Sequence, residues 1–334
     1  MVTAIPALGA GRVWWAPVRR VILSRLAASA LTLVLLVTIV FFIVHATPGG
    51  PAYSILGQKA TPEAVRQLNV RLGLSAPLWK QYLVWWAHLL EGRLGYSYLL
   101  NRPVAGLIAA YAANTLALYL GAITLSVLLS IAIGLVQGAF WGQWPARLIG
   151  AAQLVLYAMP VFFAGTILIL YVAVKWRWLP AGGIADIRHA APGVADYARH
   201  LILPVVTVGL LGTAGLSRYF GAAVHEELGK DYVRTALAKG LGFGAVLRRH
   251  VLRNALRPLV TILGLSFPYI FAGSVLVETV FDYPGLGFLL WRSALSQDYP
   301  VISAIVLLIG VLTVIGNLLA DLVNGWLDPR ERFE

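Results

Sequence analysis

Residues 225–257 carry seven Lys/Arg (Lys230, Arg234, Lys239, Arg248, Arg249, Arg253, Arg257) against three acids, Glu226, Glu227 and Asp231. They lie between two apolar stretches long enough to cross a bilayer. A segment this polar stays out of lipid, and its spacing is too regular for a slack linker. Its cations suit anionic headgroups or an acidic partner surface. Catalytic groupings are lacking. Gly229-Lys230 is followed by Asp231 and has no glycine five positions earlier, so no phosphate-cradling G-x4-G-K-[ST] loop is present. The sequence Gly240-Leu-Gly242-Phe-Gly244 follows no strand, so it reads as a hinge rather than a dinucleotide turn. The six histidines (45, 88, 189, 200, 225 and 250) are scattered, His225 has no second histidine at metal-ligand spacing, and no metal site is expected. No G-x-S-x-G nucleophile turn occurs.

The elements that must carry this segment follow from composition. Of 334 residues, 59% are hydrophobic and 12% charged, against about 25% charged in an ordinary soluble domain. That describes a polytopic membrane protein. The net charge of +12 clusters beside apolar runs, as membrane topology requires, which argues against nucleic acid. There is no cysteine, so disulfides and Cys metal sites are excluded. Six stretches approach the roughly 20 residues a crossing helix needs. They are Leu26–Ala46, Ala113–Phe140 within the uncharged run from Arg102 to Arg147, Leu148–Val174, Leu201–Phe220, Leu259–Val277 and Val301–Val323. Pro160, Pro204 and Pro268 are expected to be absorbed within a bundle. Arg12, Arg19, Arg20 and Arg25 place the N-terminus in the cytoplasm, and the first span reads as an uncleaved anchor, because only His45-Ala-Thr-Pro-Gly-Gly follows it. Six crossings return the C-terminus to the cytoplasm. The loop at 47–105, outside in this topology, has six Lys/Arg and two acids, against the charge rule, but long loops obey it poorly.

That outer loop is expected to fold. Thr61-Pro62-Glu63 is a helix start and Gly73 a stop. A second helix, about Pro77–Leu90, carries Trp79, Tyr82, Trp85 and Trp86, which suit a cap on the bilayer surface or a docking face for an external protein. The loop at 175–200 reads as irregular. In the basic segment, Val233–Lys239 suits a short helix, Gly240 ends it, and a second helix runs from about Val246 with Arg248, Arg249 and Arg253 on its basic face. The result is a helix–glycine–helix elbow.

The residues DYVRTA-AKGL at 231–241, followed by RH-LRNAL-P, resemble the cytoplasmic coupling loop of ABC importer permeases, more narrowly the dipeptide/oligopeptide/nickel permease family. Arg234, Thr235, Ala236 and Gly240 fall on the broader E-A-A-x3-G signature, and Leu237 stands where the subfamily usually has Arg. Glu278-Thr-Val-Phe281-Asp-Tyr-Pro284-Gly285-Leu-Gly287 resembles the family's E-x-x-F-x-x-P-G-L-G segment. Asp298-Tyr-Pro300 and Leu327-Asp-Pro-Arg330 fit as well. Ala46-Thr-Pro-Gly-Gly-Pro51, Arg71-Leu-Gly-Leu74 and Gly92-Arg-Leu-Gly95 resemble the first of the two permeases, the one with a long loop after its first span.

The resemblance implies an all-α, six-span type I importer permease, itself no enzyme. Its organisation would be a cytoplasmic segment 1–25, an anchor 26–46, an extracytoplasmic helical loop 47–105, a core 106–325 containing the coupling loop 225–257, and a cytoplasmic tail 326–334. The implied partners are a second homologous permease, two cytosolic ATPases that bind ATP and Mg, an extracytoplasmic substrate-binding protein and membrane lipid. No cofactor would bind this chain. The ATPase contact would fall on Asp231, Tyr232, Arg234, Thr235, Ala236, Ala238, Lys239, Gly240 and Leu241, the alanines allowing close packing. The implied cargo is a dipeptide or oligopeptide, with nickel or a metal chelate as the alternative. For Glu278, with Phe281, Pro284, Gly285 and Gly287, two readings stand: a cap on the Pro284–Gly287 turn or part of an outer gate. Among polar residues at membrane depth, Asn114, Gln153 and Asn317 are the candidates for the cargo path, with Gln137 and Asp321 beside them; bonding between helices is the commoner role of Asn and Gln. Arg218 is expected to snorkel. A secondary transporter would need a midplane ion site and inverted repeats, and an intramembrane enzyme would need paired ionisable groups in the spans. Neither is found.

Overall fold

The computed structural model describes residues 15–186, 193–266 and 274–327. The first apolar run lies in α1, Trp15–Ala46, which stops at Pro48 and Gly49-Gly50. Three shorter helices follow: α2 (Gly50–Leu56), α3 (Pro62–Arg71) and α4 (Leu78–Leu90). The expected start of α3 is present, with Thr61 Oγ1 accepting from Ala64 N–H at 3.3 Å.

In α4 the aromatics divide differently from the expectation. Tyr82 places its hydroxyl 2.7 Å from Thr38 Oγ1 and its ring 5.2 Å from Phe41. Trp85 joins the same contact, so two of the four cover the apolar flank of α1, and Trp86 stacks edge-on against both of them. Phe41 is 2% exposed as a result. The outward stripe of α4 is Trp79, Leu83, Val84 and Leu90.

The uncharged run forms α5, Val104–Ala139, beginning nine residues before the expected span. The next expected span, Leu148–Val174, is broken. Helices α6 (Trp144–Ala158) and α7 (Val161–Leu168, continuing in wider turns to Lys175) meet at 101°. Pro160 lacks the N–H that would continue the ladder and forces Met159 into extended backbone (φ −80°, ψ 124°). By contrast α8, Val194–Leu228, carries Pro204 without interruption. The elbow comprises α9 (Asp231–Ala238) and α10 (Phe243–Val246), which runs through a wide turn into α11 (Leu252–Ser266). Then come α12 (Ser274–Val280), α13 (Leu286–Leu295) and α14 (Tyr299–Leu327). The expected span 259–277 includes Pro268, which lies outside the described residues, as do Arg12 and the end of the Leu327–Arg330 match.

Among the described residues four helices are long and apolar enough to cross a bilayer, within α1, α5, α8 and α14, and the bent α6–α7 pair makes five if it is one span. All regular elements there are helical apart from one isolated bridge between Tyr96 and Pro103. The fold is therefore an all-α membrane protein.

Two features tie it together. The first is a seam of small residues between α5 and α8. A methyl group at Gly138 would lie 2.6 Å from the Gly221 carbonyl, one at Gly134 2.7 Å from Phe220, and one at Gly212 2.5 Å from Ser126 Oγ. Small residues let helix backbones approach where the hydrophobic effect gives no advantage over lipid. The second is Asp298, 2% exposed, just before α14. Its carboxylate accepts from Ser97 Oγ (2.5 Å), Tyr98 N–H (3.0 Å) and Leu99 N–H (3.3 Å), fastening the end of the 47–105 loop to the start of α14. Burial, with the Asp298 charge adding to it, pushes the neighbouring Tyr98 phenol up to about 12. Asp298→Ala leaves three donors without their acceptor, each costing about 1–3 kcal/mol. The expected result is several-fold faster trypsin cleavage at Arg93, with cleavage elsewhere unchanged.

Candidate functional site

The elbow is built on α8, α9 and α11. Tyr232 donates to Glu227 Oε2 (2.5 Å) and Lys230 to Glu227 Oε1 (2.5 Å), so the end of α8 holds the start of α9. That ion pair raises the Lys230 pKa, and burial, then the bond to Glu227, raises that of Tyr232. Asp231 and Arg234 meet at 3.4 Å on the exposed side, and Thr235 Oγ1 donates back to the Asp231 carbonyl. Gly240 adopts φ +82°, letting Gly240 N–H reach Leu237 O (2.9 Å) and Leu241 N–H reach Ala236 O (3.3 Å). Only glycine takes this left-handed position without penalty.

The helix has two faces. Val233 (2% exposed) and Ala236 (7%) pack inward against Val246, Val251, Ala255 and Phe220. Ala236, expected to pack closely against a partner, packs instead within its own chain. The outward face carries Arg234, Thr235, Leu237, Ala238, Lys239 and Leu241, and Phe243 extends it. Leu237 (42% exposed) and Phe243 (47%) were not singled out by the sequence reading as contact residues. Their signal was available: two large apolar side chains in a segment otherwise too polar for lipid.

At the other end of α5, Glu278 is fully buried. Its carboxylate accepts from Thr115 Oγ1 (2.8 Å) and Phe288 N–H (2.9 Å), while Leu286 N–H donates to Thr115 Oγ1 (2.8 Å). Two orphan amides at the start of α13 are thereby satisfied, directly and through Thr115. Gly285 lies against the carboxylate so closely that a Cβ would come within 2.3 Å of it. Asn114 Nδ2 donates to Pro284 O (2.7 Å) and Tyr283 Oη to Asn114 O (3.3 Å). Phe281 (1% exposed) and Gly287 are buried in the same region. Of the two readings for Glu278, the cap is present in the hydrogen bonds, and Thr115 is the partner that sequence reasoning missed. Replacing one charged acceptor of two donors costs about 1.5–3 kcal/mol per bond. Glu278→Ala is therefore expected to lower the melting temperature in detergent markedly, and Glu278→Gln by a smaller amount.

The three candidates for a cargo path do not converge. Asn114 bonds α5 to the Pro284 turn. Gln153 exchanges two hydrogen bonds with Gln137 (3.0 and 2.8 Å) and donates to Ser217 Oγ (2.8 Å), joining α5, α6 and α8. That network floors a cleft of about 630 Å³ beside the exposed Arg218. Asn317 is exposed on α14, and the side chain of Asp321 lies outside those described. No group of three His, Cys, Asp or Glu able to hold a metal occurs among the described residues.

Comparison with known proteins places these elements in context. Residues 130–333 match the family described as binding-protein-dependent transport system inner membrane component, and residues 18–119 match the N-terminal component of such membrane proteins. The chain is 36% identical over 312 residues to a probable peptide ABC transporter permease protein, y4tP, of Sinorhizobium fredii (strain NBRC 101917 / NGR234), covering 93% of this chain and 99% of that one. It is 34% identical over 313 residues to the glutathione transport system permease protein GsiC of Escherichia coli (strain K12), covering 94% and 99%. The chain belongs to the binding-protein-dependent transport system inner membrane component family.

Proposed function

Starting from that membership, we propose that the chain is a pore-forming subunit of an ATP-driven importer of peptides. The observation that carries the reading is the elbow. Its inner face is locked into α8, α10 and α11, and its outer face offers three large apolar residues, Leu237, Leu241 and Phe243, beside Arg234 and Lys239. An outward knob on a braced helix suits insertion into a cleft on a cytosolic ATPase, which would bind the ATP and Mg. Asp231, Arg234 and Lys239 would steer the contact, and Leu237, Leu241 and Phe243 would fill it. Peptide cargo is supported by the similarity to permeases of peptide and glutathione transport. A second permease would complete the path, and a binding protein would deliver cargo on the side of the 47–105 loop. In this arrangement residues 106–325 form the moving core, the segment from Glu278 to Gly287 forms part of the outer gate, and both termini lie in the cytosol.

The test is a pull-down of the tagged chain from mild detergent. Recovery of an ATPase and a second permease, with ATP-dependent peptide uptake on reconstitution, is expected. Recovery of this chain alone, moving a solute without ATP, overturns the reading in favour of a secondary transporter.

A further inference from the structure

Arg177 (φ 55°) and Asp282 (φ 48°) are non-glycine residues in left-handed backbone, and both line one cleft of about 820 Å³. Each sits just past a helix end. Arg177 follows the wide turns that close α7 at Lys175, and Asp282 follows α12. The backbone closes across them as it does across a helix-terminal glycine, with Trp178 N–H on Val172 O (3.0 Å) and Tyr283 N–H on Glu278 O (2.8 Å). A side chain there is disfavoured relative to glycine. Such positions are retained where the side chain is used.

Both side chains are exposed, and neither meets a hydrogen-bond or ion-pair partner among the described residues. Arg199 adds a second guanidinium, whose contact is a 3.4 Å bond to the Trp178 carbonyl. Asp196 is already engaged, accepting from Asp186 N–H (2.7 Å) beside the buried His200 ring. The floor is the buried Phe281. Gly183 N–H donates to its carbonyl (2.8 Å), and Gly182 is so close that a Cβ would lie 2.2 Å from it. The cleft is thus fixed to the segment from Glu278 to Gly287.

Opposite charges that share a cleft without pairing are complementary to a ligand whose own charges are separated. The volume is within the range of small-ligand sites, about 300–1,000 Å³. A concave floor of buried aromatic and backbone suits a small ligand better than a flat protein surface. We propose that this cleft receives the termini of a short zwitterionic peptide, its carboxylate at Arg177 and Arg199 and its ammonium at Asp282. This rests on the peptide-import reading and adds a recognition site to it. The C-terminus of α12 ends two residues before Asp282, and its partial negative charge favours the ammonium there.

The experiment measures equilibrium binding of radiolabelled trialanine to the assembled importer in nanodiscs without its binding protein. Saturable binding is expected. N-acetyl-trialanine amide should compete at least tenfold more weakly. Arg177→Gln and Asp282→Asn should each weaken trialanine binding at least tenfold, and Asp282→Asn should leave the affinity for N-acetyl-trialanine unchanged. The proposal is overturned by absence of saturable binding, by equal competition from the blocked peptide, or by variants that bind like the parent. Variants that bind trialanine normally but lose docking of the binding protein would make the cleft a protein contact instead. ATP-driven trialanine uptake by the complete importer is measured alongside. Uptake without cleft binding sinks this proposal alone, whereas absence of uptake sinks the importer reading beneath it.

Discussion

Leu237→Asp is expected to reduce ATP-driven uptake at least tenfold while leaving the amount of chain in the membrane and its melting temperature unchanged. Leu237 is 42% exposed on the outward face of α9, so the chain loses little of its own packing. If that face enters an apolar cleft on an ATPase, a carboxylate there must be desolvated without a partner, which costs several kcal/mol. One decade of binding is about 1.4 kcal/mol, so the tenfold loss is a lower bound. Ala236→Arg is a poorer probe than the family signature suggests. Ala236 is 7% exposed and packed with Val233, Val246 and Val251, so arginine there breaks the elbow before it reaches a partner. Uptake at the parental rate by Leu237→Asp would remove α9 from the coupling contact.

Gly138→Leu should have the largest effect on folding. A Cβ at position 138 comes within 2.6 Å of both the Gly221 carbonyl oxygen and the Val224 side chain. The carbonyl belongs to the backbone of α8 and cannot rotate away, so α5 and α8 must separate. Overpacking a core by a methylene or two costs about 1–3 kcal/mol, and leucine adds more volume than that. Several-fold lower recovery from detergent and a lower melting temperature are expected. Gly106→Ala in the same helix is the control. A Cβ there meets nothing within 4 Å, and removing a helical glycine gains about 0.5–1 kcal/mol, so stability should hold or rise slightly. Equal behaviour of the two variants would dismiss the seam.

Legibility in the sequence followed the range of each interaction. The α9 stop at Gly240, the Thr61 cap and the apolar character of α5, α8 and α14 are local properties and were readable, whereas α5 and α8 start nine and seven residues before the expected spans. The effect of proline was not. Pro160 breaks its helix, with Met159 extended before it, whereas Pro204 is carried inside α8, and residue type alone does not distinguish the two. The faces of α4 were half readable: four aromatics were visible, but which of them would turn to Phe41 depends on how α4 lies against α1. The seam left a trace in Gly134, Gly138, Gly212 and Gly221, yet helical glycines in spans have no partner until two helices are set side by side. Glu278 was recognisable as an acid beside the Pro284–Gly287 turn, a cap or a gate, but its complete burial was not. Its partner Thr115 lies 163 residues away, beyond any spacing rule. At the elbow the residue types were legible, but the division into an inner face at Ala236 and an outer face at Leu237 required α10 and α11 in place.

Helix α8 has 35 residues, which at 1.5 Å each span about 50 Å. Its first turns hold Asp196, Arg199 and His200 at the charged cleft, and its last turn grips α9 through Glu227. A rigid rod of that length works as a lever: a tilt of about five degrees displaces one end relative to the other by about 4 Å. Because the glycine seam holds α5 against the same rod, such a tilt would carry two helices at once. If the elbow takes the stroke of an ATPase as proposed above, a tilt imposed there would move the charged cleft directly, with no signal relayed from residue to residue between them.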